Sequence, residues 1–185
     1  WGHQVTLISP SAYHYYSGMG PGMLSGIYRP QEARFHVKRL AQDRGGLFLE
    51  DRVVKIDPVH RSLILSTGAP VAYDVASFNT GSELPIASLI SEPLENVFAV
   101  KPVVNLLLAR RSILKILPQR KLKFVIIGGG PAGVEIAANV WRLIAENNGQ
   151  AQITLVAGKK LMGDFPEKVR GLALKALTKR GIEVK

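Results

Sequence analysis

Residues 123–137 read Lys123-Phe124-Val125-Ile126-Ile127-Gly128-Gly129-Gly130-Pro131-Ala132-Gly133-Val134-Glu135-Ile136-Ala137. The apolar run before the glycines has the length of a strand, which is typical of a parallel strand covered on both faces. Glycines then follow with the spacing G-x-G-x-x-G, and a helical pattern comes after them. Because strand, glycine turn and helix come in this order, the stretch predicts a βαβ unit that binds a dinucleotide.

Each glycine of the loop has a physical role in this interpretation. Gly128 lets the chain turn sharply off the strand, Gly130 lets the backbone approach a pyrophosphate, and Gly133 lets the helix pack closely on the strand. The unpaired N–H groups and the dipole at the start of the helix would hold the diphosphate. The predicted cofactor-binding residues of the loop are Gly128, Gly129, Gly130, Pro131, Ala132 and Gly133.

A P-loop and an ordinary tight turn are the alternatives to dinucleotide binding at these glycines. A P-loop is excluded because no Gly-Lys-Ser/Thr follows the glycines. A tight turn between a strand and a helix, without a ligand, is the alternative that stays open.

The 185 residues carry a formal net charge of +10 and no cysteine. The absence of cysteine excludes a disulfide framework, a thiolate metal site and a redox-active cysteine pair within this sequence, and no metal site is predicted. The positive residues are scattered, and no nucleic-acid recognition motif accompanies them. We therefore predict no nucleic-acid partner and interpret the charge mainly as solvated surface, with attraction of phosphorylated cofactors or anionic lipid as the alternative.

The sequence begins without methionine in a strand-like run and ends at the start of another. We interpret it as an internal segment of a longer protein. It contains no signal peptide and no apolar run of about 18 residues that could span a bilayer.

Periodicity and turn residues predict an α/β fold. The predicted strands cover residues 5–8, 47–57 (one or two strands), 61–66, 72–78, 123–127 and 152–156. The predicted helices cover residues 31–43, 102–117, 134–147 and 166–180. Residues 11–26 are expected to form a loop with at most a short helix, and residues 84–100 a linker. The spacing between 47 and 78 indicates a small antiparallel meander.

The order of these segments resembles the pyridine nucleotide-disulfide oxidoreductase family, and within it the type II NADH dehydrogenase-like branch. The resemblance covers nearly the whole chain. It implies a Rossmann-like fold with an incomplete FAD-binding domain over residues 1–100, which contains the meander, and an NAD(P)H-binding βαβ domain over residues 101–185. The implied cofactors are FAD and NAD(P)H.

The same resemblance implies further site residues. Ser9 stands where the family often has an acidic residue for the FAD ribose, and Val53 matches the position whose backbone meets the adenine. Thr80 and Gly81 match a turn near the flavin diphosphate. Glu135 matches a helix glutamate near the nicotinamide and flavin, and is the candidate catalytic residue. An acidic side chain in the first turn of a helix is also favoured by the dipole alone.

The sequence departs from the family pattern at the end of each nucleotide-binding strand. Ser9 replaces the usual carboxylate, so the ribose contact is weaker or is made elsewhere. After the strand 152–156 come Ala157, Gly158, Lys159 and Lys160, with no acidic residue before Asp164. A carboxylate there would repel a 2′-phosphate and lysines would attract it, so Ala157 and Lys159 are candidate cofactor contacts and NADPH is slightly favoured. Solvated lysines are the alternative.

The function that the resemblance implies is a flavin-dependent NAD(P)H oxidoreductase, with hydride transfer to FAD and then electron transfer to an acceptor such as a quinone. The alternatives are a non-catalytic NAD(P)-binding regulatory or scaffold module and a monooxygenase. The segment alone is expected to be inactive. The expected location is cytoplasmic or peripheral on a membrane, with membrane association only through a carboxy-terminal segment outside this sequence. The sequence indicates no oligomeric state.

Overall fold

The computed structural model describes residues 2–85 and 95–185. The chain forms two compact units, and each unit combines two segments that are separated along the sequence. The first unit comprises Trp1–Tyr16 and Arg34–Ser82, and the second comprises Ser17–Ala33 and Glu83–Lys185. The division into cofactor domains at residues 100 and 101 stays a prediction.

Parallel and antiparallel pairs both occur in the first unit. Strand β1 (Thr6–Ser9) pairs in parallel with β4 (Leu47–Glu50), in register from Thr6 opposite Leu47 to Ser9 opposite Glu50. The short strands β2 (His14–Tyr15) and β3 (Arg34–Phe35) pair antiparallel, and helix α2 (Val37–Gln42) precedes β4. Parallel strands need a crossover connection, which the segment between β1 and β4 supplies.

The predicted meander is confirmed in the first unit. It consists of the antiparallel strands β5 (Val53–Asp57), β6 (Ser62–Leu65) and β7 (Pro70–Ala72), which neighbour one another in that order. Leu63 and Leu65 of the central strand are its buried residues. They alternate with half-buried neighbours, as expected for a sheet with one packed face.

Two predicted elements of the first unit are wrong in part. The helix expected over 31–43 is confined to α2, because Arg34–Phe35 pairs with β2 instead and the His36 ring caps the helix by accepting a hydrogen bond from the Arg39 N–H at 3.2 Å. The strand expected over 72–78 ends with β7 at Ala72. Val75 beyond it is 89% exposed, so its β-branched side chain packs on none of the strands that the structure describes.

The second unit contains the parallel sheet. Its elements are α1 (Gly20–Ser25), α3 (Asn105–Ile116), β8 (Leu122–Ile127), α4 (Pro131–Glu146), β9 (Ala151–Val156), α5 (Glu167–Lys179) and β10 (Glu183–Val184). The strands are parallel and lie in the order β10-β9-β8. This is the βαβαβ arrangement of a mononucleotide-binding half. The fold class and the predicted βαβ unit are confirmed.

The packed face of α4 holds the second unit together. Its buried residues recur with helical period and are Ile136, Ala137, Val140, Leu143 and Ile144. They belong to one core with Ile153 and Leu155 of β9. Full burial of a Val, Leu or Ile side chain stabilises a fold by about 1.5–3 kcal/mol. The buried residues of α4 therefore hold the helix on the sheet.

The prediction that β8 is covered on both faces is wrong for the described residues. Phe124 and Ile126 are half-buried in the core, whereas Val125 and Ile127 on the opposite face are 66% and 83% exposed. Of the linker predicted over 84–100, residues 86–94 lie outside the described residues. No helix within the described ranges is long and apolar enough to cross a membrane.

Candidate functional site

The loop between β8 and α4 turns at Gly128, as predicted. Its φ is +123°, a conformation that side chains with a Cβ rarely adopt. Its N–H donates to the Val156 carbonyl at 2.9 Å, which ties the turn to the end of β9. The carboxyl end of β8, the glycine loop and the carboxyl end of β9 therefore meet at one edge of the sheet. This is the edge where ligands bind in open α/β folds.

Gly133 is required by packing. A Cβ added there would lie 1.7 Å from the Gly128 carbonyl oxygen and 3.4 Å from Leu155 Cδ1. The backbone of α4 thus lies directly against the turn that precedes it. Close packing of helix on strand accounts for the third glycine. Gly129 is similarly restricted, since its Cβ would approach the Ala157 backbone to 2.7 Å.

Gly130 is not required by packing. Its φ of −79° and ψ of −178° suit any residue, and a Cβ added there would meet no described atom within 4 Å. It is the N-cap of α4, and Pro131 occupies the first turn. The first N–H groups of a helix have no partner within it. Gly130 therefore leaves open space at a helix N-terminus, where a diphosphate could be bound.

Glu135 lies further along α4 than the sequence indicates. The helix begins at Pro131, and its first turn contains no acidic residue. The explanation by the helix dipole in the first turn is therefore wrong, because Pro131 starts the helix earlier than the apolar period indicates. The Glu135 side chain is exposed, and it has no hydrogen-bond or ion-pair partner within residues 2–85 and 95–185.

A partly buried polar contact fixes α1 beside α4. The Ser25 hydroxyl donates to Asn139 Oδ1 at 2.6 Å, and Asn139 Nδ2 donates to the Glu135 carbonyl oxygen at 2.9 Å. Ser25 is buried. This contact links α1 to the helix turn that carries Glu135. Sequence reasoning missed it, because the two residues lie far apart in the chain and neither belongs to a motif.

The turn after β9 is attached to the glycine loop. The Met162 N–H donates to the Gly129 carbonyl oxygen at 2.7 Å, and the Ala157 N–H donates to the Lys185 carbonyl oxygen at 2.6 Å. Met162 is buried and has a φ of +51°, an uncommon conformation for a large side chain. Such conformations persist where the surrounding structure holds them, and they cluster at functional sites.

In the first unit, the candidate FAD residue Ser9 ends β1. Its hydroxyl donates to the Ser11 carbonyl oxygen at 2.9 Å. Glu50 lies opposite it at the end of β4, exposed, with Cα atoms in register. In-register residues of parallel strands project to the same face of a sheet. Glu50 therefore places a carboxylate next to Ser9, whose own side chain has none. Sequence reasoning missed it, because strand pairing is not visible in a single sequence.

Val53 is the first residue of β5 and is half-buried opposite Leu65. The preceding turn is held by Asp51, which accepts hydrogen bonds from the Ser66 hydroxyl, from the Thr67 hydroxyl at 2.8 Å and from the Arg52 N–H at 2.6 Å. These bonds, the one from Ser66 first, lower the pKa of the Asp51 carboxyl to about 2. Asp51 thus fixes the start of the strand that carries Val53.

We expect Asp51→Asn to lower the thermal stability of the first unit at neutral pH. The folded pKa lies below the unfolded one, so the carboxylate stabilises the fold above the unfolded pKa of about 4, and this contribution is lost as the pH falls towards about 2. Melting curves of both proteins from pH 7 to pH 2 should therefore converge at the acidic end. A constant difference over this range would show that charge is not the cause.

Thr80 and Gly81 lie in the same unit, in an exposed segment without regular secondary structure. Gly81 has a φ of +71°, which accounts for a glycine in a turn. Within the described ranges, no group of three or more His, Cys, Asp or Glu side chains could hold a metal ion.

Comparisons with known proteins agree with the family resemblance of the sequence. The sequence profile of the family described as "Pyridine nucleotide-disulphide oxidoreductase" matches residues 1–185. The "External alternative NAD(P)H-ubiquinone oxidoreductase B1, mitochondrial" of Solanum tuberosum is 24% identical over 98% of this chain and 37% of its own length, and the protein of the same name from Arabidopsis thaliana is 26% identical over 98% and 38%. The chain thus spans less than two fifths of these relatives.

Among solved structures, the fold is similar to that of NDH2 from Plasmodium falciparum in complex with NADH. The TM-score is 0.75 at 20% identity, and the match covers 98% of this chain and 42% of that one. The similarity supports the Rossmann-like architecture described above.

Proposed function

This chain belongs to the pyridine nucleotide-disulphide oxidoreductase family, and from that premise we propose that its whole protein is a flavin-dependent NAD(P)H oxidoreductase. The plant relatives carry the name of NAD(P)H-ubiquinone oxidoreductases, which supports a quinone as the electron acceptor. The relatives cover the chain almost from end to end, so the order of its elements is that of the family.

The observation that carries the proposal is the contrast between two glycines of one loop. Gly133 is explained by the 1.7 Å approach of its missing Cβ to the Gly128 carbonyl oxygen. Gly130 faces open space and has an unstrained backbone, so nothing in the described structure accounts for a glycine there. A diphosphate in that space would account for it, because a Cβ would occupy its position. The residues present therefore fit a bound dinucleotide.

In the proposed site, the start of α4, the Ser25–Asn139 contact and Glu135 have different roles. The N–H groups that open α4 bind the diphosphate, and the macrodipole of this 16-residue helix favours its charge. The contact between Ser25 and Asn139 holds α1 against α4. Glu135, exposed on α4, contributes a negative charge that can orient a bound cofactor. When bound, the nicotinamide and flavin supply hydride and electron transfer, and the protein supplies position and electrostatics.

For the flavin nucleotide, we propose that the first unit binds the adenosine end. Ser9 and Glu50 end neighbouring parallel strands, and the carboxyl edge of such strands is where nucleotides bind. The Glu50 carboxylate would accept hydrogen bonds from ribose hydroxyls, and Val53 would offer its backbone to the adenine. Thr80 and Gly81 would line the diphosphate.

The proposal is tested by absorption spectroscopy of the purified full-length protein. We expect a yellow protein whose flavin band bleaches when NADH or NADPH is added without oxygen, and returns when a water-soluble quinone follows. Glu50→Gln should lower the fraction of bound flavin, whereas Glu146→Gln, which changes an exposed carboxylate on α4, should leave it unchanged.

A colourless protein that still binds NAD(P)H would contradict the oxidoreductase and favour a non-catalytic nucleotide-binding module. A flavoprotein whose oxygen consumption depends on an organic substrate would favour the monooxygenase.

A further inference from the structure

A groove lies beside Trp141 on the exposed side of α4. It encloses about 490 Å³, within the range of about 300–1,000 Å³ that small-molecule sites occupy. Its lining includes Ile27, Ala138, Trp141, Arg142, Glu146 and Arg180, all of the second unit. Trp141 lies about 15 Å along the helix from Pro131, the first residue of α4. The groove is therefore separate from the candidate diphosphate site.

The concave surface continues past the Trp141 ring. A second groove of about 320 Å³ shares Trp141, Ala145 and Arg180 with the first, and it adds Lys121 to the lining. Trp141 is 36% exposed, and the side chain of Ala145 is too small to fill the space beside it. The indole ring and the Arg180 guanidinium therefore lie where the two grooves meet.

Arg180 is held in place over the indole ring. Its Cζ lies 5.2 Å from the ring centroid of Trp141, and its Nη1 donates to the Ala176 carbonyl oxygen at 2.8 Å. The side chain is half-buried, and no carboxylate within residues 2–85 and 95–185 forms an ion pair with it. The Ala176 carbonyl uses only one of the five N–H donors of a guanidinium. A guanidinium fixed in this way binds an anion with little further loss of rotamer freedom.

Neighbouring charges leave this surface positive. Glu146 is the one carboxylate among the residues that line the two grooves, and it accepts a hydrogen bond from Arg142 Nε at 2.7 Å. Lys121 is exposed and has no ion-pair partner in the described part of the chain. Arg180 and Lys121 are therefore uncompensated cations beside an apolar ring. A second copy of this face would be repelled by like charge, and a flat bilayer would not fill a concave groove.

We propose that this groove is a second ligand site, which binds a small aromatic carboxylate. The carboxylate would accept charge-assisted hydrogen bonds from the remaining N–H groups of Arg180, whose planar fork matches a carboxylate. The aromatic ring would pack against the exposed part of Trp141 and the side chains of Ala138 and Ala145. The inference does not depend on the proposed function, because no residue of the groove belongs to the glycine loop.

The test is calorimetric titration of the purified full-length protein with trans-cinnamate, its uncharged isostere cinnamamide, and acetate. We expect cinnamate to bind about tenfold more tightly than cinnamamide, since a hydrogen bond to a charged group is worth about a factor of ten. Acetate keeps the charge without the ring and should also bind more weakly than cinnamate. The advantage of cinnamate over cinnamamide should shrink at high ionic strength, because the groove is open to solvent. Saturating NADH should not displace cinnamate.

Variants of the two central residues locate the site. Arg180→Gln should remove the advantage of cinnamate over cinnamamide, whereas Trp141→Leu should weaken the binding of both. Arg180→Lys keeps the charge without the planar fork and should retain only part of the advantage, which provides a second readout if Arg180→Gln unfolds. Arg111→Gln is the matched control, because it removes an exposed arginine of α3 that lines neither groove.

Equal affinity for cinnamate and cinnamamide, an unchanged preference in Arg180→Gln, or displacement of cinnamate by NADH would overturn the inference. A protein that binds NADH but not cinnamate would also overturn it. Each of these results leaves the proposed function standing, since titration with NADH alone measures the dinucleotide site.

Discussion

Replacing Gly133 by alanine is expected to destabilise the second unit by about 3 kcal/mol or more. The added Cβ would lie 1.7 Å from the Gly128 carbonyl oxygen, and this neighbour is backbone rather than a flexible side-chain end. Relief requires α4 to move away from β8 and β9. The buried stripe of α4 would then lose contact with Ile153 and Leu155. Denaturant unfolding monitored by circular dichroism measures the loss.

The matched control is Gly171→Ala. Gly171 lies in the interior of α5, and a Cβ there would meet no described atom within 4 Å. Alanine exceeds glycine in helix propensity by about 1 kcal/mol, so this variant should be more stable than the parent protein. If Gly133→Ala were as stable as the parent, the close contact between the glycine turn and α4 would be wrong, and with it the packing role of the third glycine.

Replacing Gly130 by alanine is expected to give the opposite result, a stable protein that binds nucleotide poorly. The backbone conformation suits alanine, and the added Cβ meets no atom of the described residues within 4 Å. Alanine is a weaker N-cap than glycine, but it also reduces the entropy of the unfolded chain, so the free energy of unfolding should change by less than about 1 kcal/mol. In the proposed site the Cβ occupies the space of the diphosphate, so NAD(P)H affinity should fall about ten- to a hundredfold.

Calorimetric titration with NADH and NADPH, beside denaturant unfolding of the same samples, separates the two effects. Loss of binding without loss of stability is the signature of a glycine kept for a ligand. Unchanged affinity in Gly130→Ala would exclude a diphosphate from this space and leave the loop as an ordinary tight turn.

Much of the second unit could be predicted from the sequence because its signals are local. The apolar run, the glycine spacing and the helical period of Ile136, Val140 and Leu143 each depend on neighbours along the chain. They specify strand, turn and helix, and the packing of the helix on the strand follows from Gly133. The candidate diphosphate site can therefore be predicted from the sequence alone.

The predictions failed where partners from elsewhere in the chain decide the local structure. Arg34–Phe35 forms a strand because β2 is available for pairing, although the surrounding residues favour a helix. The segment after Ala72 has strand-like residues but no partner strand within the described ranges, and it is not a strand. Propensity is a weak preference of tenths of a kcal/mol per residue, which a few tertiary contacts exceed.

Residue types alone indicate that a glycine-rich turn links a strand to a helix, and that the turn after the next strand has no acidic residue. The different roles of Gly130 and Gly133, the position of Glu50 opposite Ser9, and the hydrogen bond between Ser25 and Asn139 became visible in the folded chain. The difference arises because a motif records which residue types are compatible with a backbone path. The space around a missing Cβ, or the carboxylate on a neighbouring strand, depends on residues that only folding brings together.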